Sequence, residues 1–236
     1  MENNKKILLL VMLANTTSLF GVPNFVLMGP PGAGKGTFAD MLVTKNNYKQ
    51  ICPGALLRAE AAQGTPLGLS IKEAVEFAKP IDASIVCKVI KLHLEEALMQ
   101  KKPFVLDGFP KNIECFNFLI SFLKENELSA TFIHFYATDS VCFERMVSRL
   151  ECHTCGATFN EISKQPIKAE ICDVCKNCLV RRKGDDHKTA EYRLNEFHEN
   201  IEPVIEFIKK KISVLEVDTT GKSINYCDTL YKKFIY

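Results

Sequence analysis

With 236 residues, 47% of them hydrophobic, the chain is long enough for one sizeable α/β domain with insertions or two small domains, and too apolar to be intrinsically disordered. A formal charge of +2 excludes a protein held to nucleic acid by its overall field, so any anion binding has to come from local basic clusters. Ten cysteines would suit a secreted disulfide scaffold, but four have metal-ligand spacing, Cys178 sits beside them and five lie scattered, which suits a reducing compartment better.

The N-terminus points the other way. Lys5-Lys6 precede the apolar run Ile7–Leu13 and the small, polar Ala14–Ser18, the layout of a secretory signal. The run is too short to span a bilayer as a helix, so no stable membrane span is expected. Residues 1–22 are read as an N-terminal extension outside the fold, either a signal peptide or an uncleaved extension. The expected localisation is cytoplasmic, with export as the alternative.

The first predicted strand, Phe25–Met28, runs into Gly29-Pro-Pro-Gly-Ala-Gly-Lys-Gly-Thr37 and then a helical pattern. Small residues let Gly32, Ala33, Gly34 and Gly36 turn backbone N–H groups toward anionic oxygens. The helix that follows aims its positive N-terminus at the same place, and Lys35 adds a mobile charge, so the segment reads as a phosphate-cradling loop. In the general pattern a Ser or Thr directly follows the lysine and holds magnesium. Here Gly36 stands there and the hydroxyl arrives at Thr37.

Short helices punctuated at Gly54–Arg58, Pro66–Leu69 and Ala78–Ile81, with no strong strand, mark a small helical insertion. A second predicted strand, Phe104–Leu106, ends in Asp107-Gly-Phe-Pro110. That places a carboxylate at the strand's C-terminal edge, where it can hold the water shell of Mg²⁺. Thr131–Tyr136 and Ser213–Val217 are further strands, and the alternation with helices implies a parallel sheet covered on both faces.

Helical periodicity stops between about Ser148 and Gly184. There Cys152-x₂-Cys155 and Cys172-x₂-Cys175 are separated by sixteen residues. Four thiolates close a tetrahedral zinc shell and leave no open position, which points to a structural metal. Cys178 is an alternative to Cys175, and disulfides are the competing reading. Beyond the cysteines, Leu194, Phe197, Ile201, Ile205 and Ile208 mark one long helix that Pro203 should kink or break.

The form G-x-P-G-x-G-K-G-T is similar to the nucleoside monophosphate kinases. With D-G-F-P at 107–110, the chain from Asn24 to Tyr236 resembles the adenylate kinase family in its long bacterial form with a zinc-bearing lid. Ile51-Cys-Pro-Gly-Ala-Leu-Leu-Arg58 corresponds to the family's I-S-T-G-D-M-L-R. Arg145 and Arg149 keep one arginine pair, and Arg182 and Arg193 the other. The family's R-x-D-D is matched from Arg182, or by Lys183-Gly-Asp-Asp186 with a one-residue gap before Arg193.

The resemblance implies an α/β fold, a P-loop NTPase-type parallel sheet with helices on both faces. The core would span 23–51, 82–147 and 185–236, with a helical NMP-binding insertion at 52–81 and a zinc-stabilised lid at 148–184. It implies ATP at Gly32–Thr37, Arg145, Arg149, Thr158, Phe159 and Gly221. The acceptor, AMP, would lie at Pro53, Arg58, Lys79, Pro80, Ile81, Gly108, Phe109, Pro110, Lys111, Cys115, Arg182 and Arg193. Lys35, Asp107, Arg145, Arg149, Arg182 and Arg193 would be catalytic, and Asp185 would either orient an arginine or be a plain loop carboxylate. The implied reaction moves the γ-phosphoryl group of Mg·ATP to AMP, giving two ADP, in a monomer with Mg²⁺ and a structural Zn²⁺.

Arginines have an independent rationale, since phosphoryl transfer depends on positioning and charge stabilisation and guanidinium forks fit phosphate oxygens. Pro53, Ala55, Lys111 and Cys115 depart from the family's Thr, Asp, Arg and base-reading Gln, all on the acceptor side. They leave open a related kinase with a CMP, UMP or GMP acceptor, or a nucleotide-binding protein with weak or no transfer.

Overall fold

Alternation along the first strand decides the architecture. The computed structural model describes residues 21–76, 79–182, 184–223 and 225–235; residues 1–20 of the candidate signal segment 1–22 lie outside the described residues. The elements are β1 (Asn24–Met28), α1 (Lys35–Asn46), β2 (Lys49–Ile51), α2 (Pro53–Gln63), α3 (Pro66–Glu76), α4 (Ala83–Met99), β3 (Phe104–Asp107), α5 (Ile113–Glu125), β4 (Ala130–Tyr136), α6 (Asp139–Val147), β5 (Arg149–Cys152), β6 (Thr158–Asn160), β7 (Leu179–Arg181), α7 (His187–Glu196), α8 (Glu202–Lys209), β8 (Leu215–Asp218) and α9 (Tyr226–Ile235).

Phe25 and Leu27 of β1 pack with Phe38 and Leu42 of α1, Cys142 and Met146 of α6, and Leu230 of α9. Val26 and Met28 face the opposite way, toward Ile90 and Leu94 of α4, Leu119 of α5, and Ile205 and Ile208 of α8. Every residue of β1 is buried, as expected for a central strand sandwiched between helical layers. Each such side chain stabilises the fold by roughly 1.5–3 kcal/mol.

The sheet is parallel throughout, in the order β2-β3-β1-β4-β8. β1 and β3 are neighbours in register Leu27↔Asp107, so the loops that follow them emerge side by side at the C-terminal edge. Asn24, buried in β1, accepts from the Phe104 N–H (3.0 Å) and donates to the Ser129 carbonyl (2.9 Å), fastening β1 to both of its neighbours.

The strands and the covering of both faces agree with the sequence reading, with differences at the edges. β2 is a three-residue strand, Lys49-Gln-Ile51, that carries no apolar run. β8 starts two residues later than expected, at Leu215. The long helix is divided: α7 gives way to a π-helical turn, Phe197–Ile201, and α8 follows with Pro203 in its first turn. Proline has no N–H to donate back along the helix, and the wider turn before it absorbs that missing bond.

α2 and α3 pack closely because Gly68 lies where a Cβ would come within 2.2 Å of the Glu60 carbonyl oxygen. The cysteine-rich segment forms a small antiparallel sheet, β6-β5-β7, whose buried core is Leu150, Phe159, Leu179, Cys152 and Cys172. Among the described residues no helix is long and apolar enough to cross a membrane.

Candidate active site

The turn after β1 is shaped as much by its own neighbours as by any ligand. At Gly29 (φ 130°) a Cβ would lie 1.9 Å from the Phe135 carbonyl oxygen, and at Gly32 (φ 85°) 2.3 Å from that of Cys142. These glycines let the loop lie directly on β4 and α6. Gly34 (φ 89°) caps α1, with nothing within 4 Å of its Cβ position. Gly36 has a different reason: its Cβ position is 3.4 Å from Asp107 Oδ2. A serine there would put its side chain against the carboxylate that β3 delivers.

Lys35 Nζ donates to the carbonyls of Gly29 (2.9 Å) and Pro30 (2.8 Å). Burial pulls its pKa down to about 8, against the attraction of Asp107. The Asp107 carboxyl is pushed up by burial, opposed first by Lys35 and then by Arg149, Arg182 and Lys111. The acid-base pair is thus poorly hydrated and mutually dependent, a state that a polyanion with its metal suits better than water does.

Around this pair the arginines converge. Arg149 holds Asp185 with two hydrogen bonds, and Arg193 reaches the same carboxylate (2.6 Å) and the Gly184 carbonyl (3.2 Å). Arg182 faces Glu151 at 3.7 Å, and its Nε is buried without a hydrogen-bond partner among the described residues. Burial and then Arg58, Arg149 and Arg193 bring its pKa down to about 10. Guanidinium groups gathered closely enough for three of them to lower the pKa of Arg182 form a site that favours anions.

Arg145 is used differently. It donates to the carbonyls of Thr219 (2.9 Å) and Lys222 (3.1 Å) and to the Thr219 hydroxyl (3.1 Å), so it ties the turn after β8 to the phosphate loop. Thr219 completes the junction by donating to Ala33 O (3.2 Å).

One cleft of 1070 Å³ is lined by almost all the residues singled out in the sequence. Of the residues expected to hold ATP these are Gly32, Gly34, Lys35, Gly36, Thr37, Arg145, Arg149, Thr158 and Phe159; of those expected to hold the acceptor, every one named above, from Pro53 to Arg193. Two residues expected to hold ATP are not in its wall. Ala33 is wholly buried, and Gly221 lies in the turn beyond Thr219 at φ 63°. Lys183, on which the alternative R-x-D-D match depends, lies outside the described residues. Asp185 nevertheless resolves its own question, because it does orient an arginine, and in fact two.

The sequence reading missed Asp40, which lines the cleft from α1 and accepts from the Thr158 hydroxyl of the small sheet (3.3 Å). Burial raises its carboxyl, with Lys164 and that hydrogen bond opposing. Its position three residues after Thr37 was the available signal. Asn160 was missed as well: its Nδ2 donates to Ser148 Oγ (2.9 Å) and its Oδ1 accepts from the Ile162 and Ser163 N–H groups (both 2.9 Å), which ties the end of β6 to the turn after α6 and to the loop that follows it.

The Sγ atoms of Cys152, Cys155, Cys172 and Cys175 all lie within 4.8 Å of one another, close to the ~3.8 Å edge of a tetrahedral zinc–thiolate shell. All are free thiols, and Cys178 is exposed outside the group, so Cys175 is the fourth member. Hydrogen bonds from Asn177 lower the Cys175 pKa, favouring its thiolate. The donor set fits structural zinc.

The sequence model of the adenylate kinase family matches residues 27–213. An adenylate kinase of Borrelia turicatae (strain 91E135) is 37% identical over 185 residues, which is 78% of this chain and 86% of that protein. One of Thermotoga neapolitana is 36% identical over 197 residues, 83% and 89%, and one of Methanosarcina barkeri (strain Fusaro / DSM 804) 33% over 198 residues, 84% and 91%. The matched span takes in the end of β1 and the loop after it, the Asp107 strand, the four-cysteine segment and Arg193, and by this likeness along most of its length the chain belongs to the adenylate kinase family.

Proposed function

We propose that the chain transfers the γ-phosphoryl group of Mg·ATP reversibly to AMP, giving two ADP. The observation that carries this reading is the single cleft into which Lys35, Asp107 and the guanidinium groups of Arg58, Arg149, Arg182 and Arg193 all converge. Two polyanions can meet end to end only where cations surround both.

The Gly32–Thr37 amides and Lys35 hold the donor phosphates, and Lys35 exchanges its carbonyl partners for phosphate oxygens. Asp107 would hold Mg²⁺ through water, and the ion would supply positive charge that neutralises the donor phosphates. Arg149 and Arg193, aimed by Asp185, sit against the transferring group; Arg58 and Arg182 take the acceptor phosphate. Arg145 positions the β8–α9 turn beside the donor base.

Segment 52–81 serves as the acceptor-binding insertion and 148–184 as the lid, whose Thr158–Asp40 contact closes over the phosphate loop and excludes water. A structural Zn²⁺ replaces the core that a segment with five buried hydrophobic residues cannot build. One chain supplies both halves of the cleft, which suits a monomer, and four closely spaced free thiols suit a reducing, cytoplasmic compartment. Coupled assays with ATP and AMP test the reading: Lys35→Ala and Arg149→Ala should each lower turnover by orders of magnitude, and near-normal turnover in either contradicts it.

A further inference from the structure

Cys115 belongs to the acceptor wall of the cleft, yet its thiol is engaged behind that wall. It is the third residue of α5, directly after the Pro110-Lys111 turn, with its N–H held by Asn112 Oδ1 (2.8 Å), and it is 2% exposed. Its Sγ lies 3.5 Å from that of Cys87 on α4, whose neighbour Val86 lines the same cleft. The other sulfur–sulfur contacts among the described residues are those of the zinc cluster, so this pair is the one that the metal does not account for. The two thiols differ in access. Cys87 is half-buried and can meet a small molecule, whereas Cys115 can meet only its partner.

We propose that Cys87 and Cys115 form a thiol–disulfide exchange site, at which a low-molecular-weight disulfide R–S–S–R oxidises the pair and weakens use of the acceptor. Cys87 gives its proton to water, and its thiolate attacks one sulfur of R–S–S–R. That S–S bond breaks, a Cys87–S–S–R bond forms, and RS⁻ leaves and takes up a proton. Cys115, deprotonated in turn, attacks the Cys87 sulfur and expels the second RSH. The pair loses two electrons and two protons, and R–S–S–R gains both.

Burial pushes the Cys115 thiol up to about 12 and raises that of Cys87, so exchange is slow and answers sustained oxidation. Closing the sulfurs from 3.5 Å to bonding distance, about 1.5 Å of approach, draws on the first turn of α5 and hence on Asn112 and Lys111 beside it. The effect on the acceptor rests on the function proposed above; the bond itself does not.

The test incubates the zinc-loaded full chain in oxidised or reduced glutathione, alkylates free thiols and maps the peptides. A crosslinked Cys87–Cys115 peptide is expected, with kcat/KM for AMP lowered on the order of tenfold or more, KM for ATP unchanged, and reversal by a dithiol. Cys87→Ser, or Cys87→Ala if serine is not tolerated, should keep the kinetics of the reduced protein and lose the response. Alkylation of both thiols after oxidation, or a mixed disulfide stalled at Cys87, overturns the site. A crosslink that leaves AMP kinetics unchanged overturns its consequence. A reduced protein inactive on every acceptor contradicts the kinase reading instead, and the peptide map still decides on the bond.

Discussion

The Arg149 guanidinium lies fork to fork on the Asp185 carboxylate, Nε 2.7 Å from one oxygen and Nη2 3.0 Å from the other. Asp185 is 2% exposed at its side chain and the two arginines it holds about a quarter exposed, so the acid is the buried anchor and the cations face the cleft. Asp185→Ala should therefore lower kcat/KM by about a hundredfold through misplacement of Arg149 and Arg193. It should also reduce stability by roughly 3 kcal/mol, because two half-buried charges lose their partner. Asp185→Asn keeps an acceptor and should fall between. Steady-state kinetics beside urea unfolding separate the two effects, and a stability loss with normal kinetics would leave Asp185 a structural residue only.

Lys35 should give the fold an unusual dependence on pH. Burial lowers its folded pKa to about 8, from an ordinary 10.5. Below about pH 8 both states carry the proton, and the folded state bears the cost of burying an ammonium group. From there up to about 10.5 the unfolded chain holds a proton that the folded chain has released, so stability from this group rises with pH and levels off above. Lys35→Met should flatten that rise by on the order of 3 kcal/mol across the window, seen as a difference between the two proteins' urea midpoints at successive pH values. Parallel curves for the two proteins would contradict the assignment.

What could be read in the sequence was what is local. The phosphate loop, Asp107-Gly-Phe-Pro110 and the paired C-x₂-C motifs each bring their chemistry together within a few residues, and the fully buried β1 is visible in the continuous apolar run Phe25 to Met28. β2 was not visible because an edge strand of Lys-Gln-Ile has only Ile51 to bury, and it is held instead by its ladder to β3. Nor could sequence show that Arg145 turns to the carbonyls of Thr219 and Lys222 while Arg149, four residues on, turns to Asp185. Those partners are fixed by how β8 and α7 dock, and no spacing records that.

Removing the metal should unfold the small sheet and leave the parallel-sheet core folded. Its buried core is five residues, two of them cysteines of the cluster, so the thiolate shell has to hold β5, β6 and β7 together. Chelation under reducing conditions is expected to release about one zinc per chain and to speed proteolysis between Cys152 and Cys178, while the far-ultraviolet signal of the parallel-sheet core persists. Phosphoryl transfer should fall with it, since Thr158 and Arg149 depend on that sheet's position. Unchanged proteolysis after the metal has left would show that the segment folds without it.

Base discrimination at the acceptor should be weak. Cys115 directs its sulfur to Cys87, and Leu56, Ile81 and Val86 add only apolar surface to that wall. A thiol offers an adenine edge neither the acceptor nor the paired donors of an amide. Loss of such a buried contact costs about 1–3 kcal/mol, so AMP should exceed CMP, UMP and GMP by only about ten- to a hundredfold in kcat/KM. Lys111, whose pKa burial lowers, with Arg193 adding to that, keeps a charge near the acceptor phosphate but no fork. Lys111→Arg should therefore lower KM for every monophosphate alike, and Cys115→Gln should raise the preference for AMP over CMP by about tenfold. Kinetics of both variants with the four monophosphates check this directly, and a wild-type preference for AMP above about 10⁴ would mean that another group in the cleft reads the base.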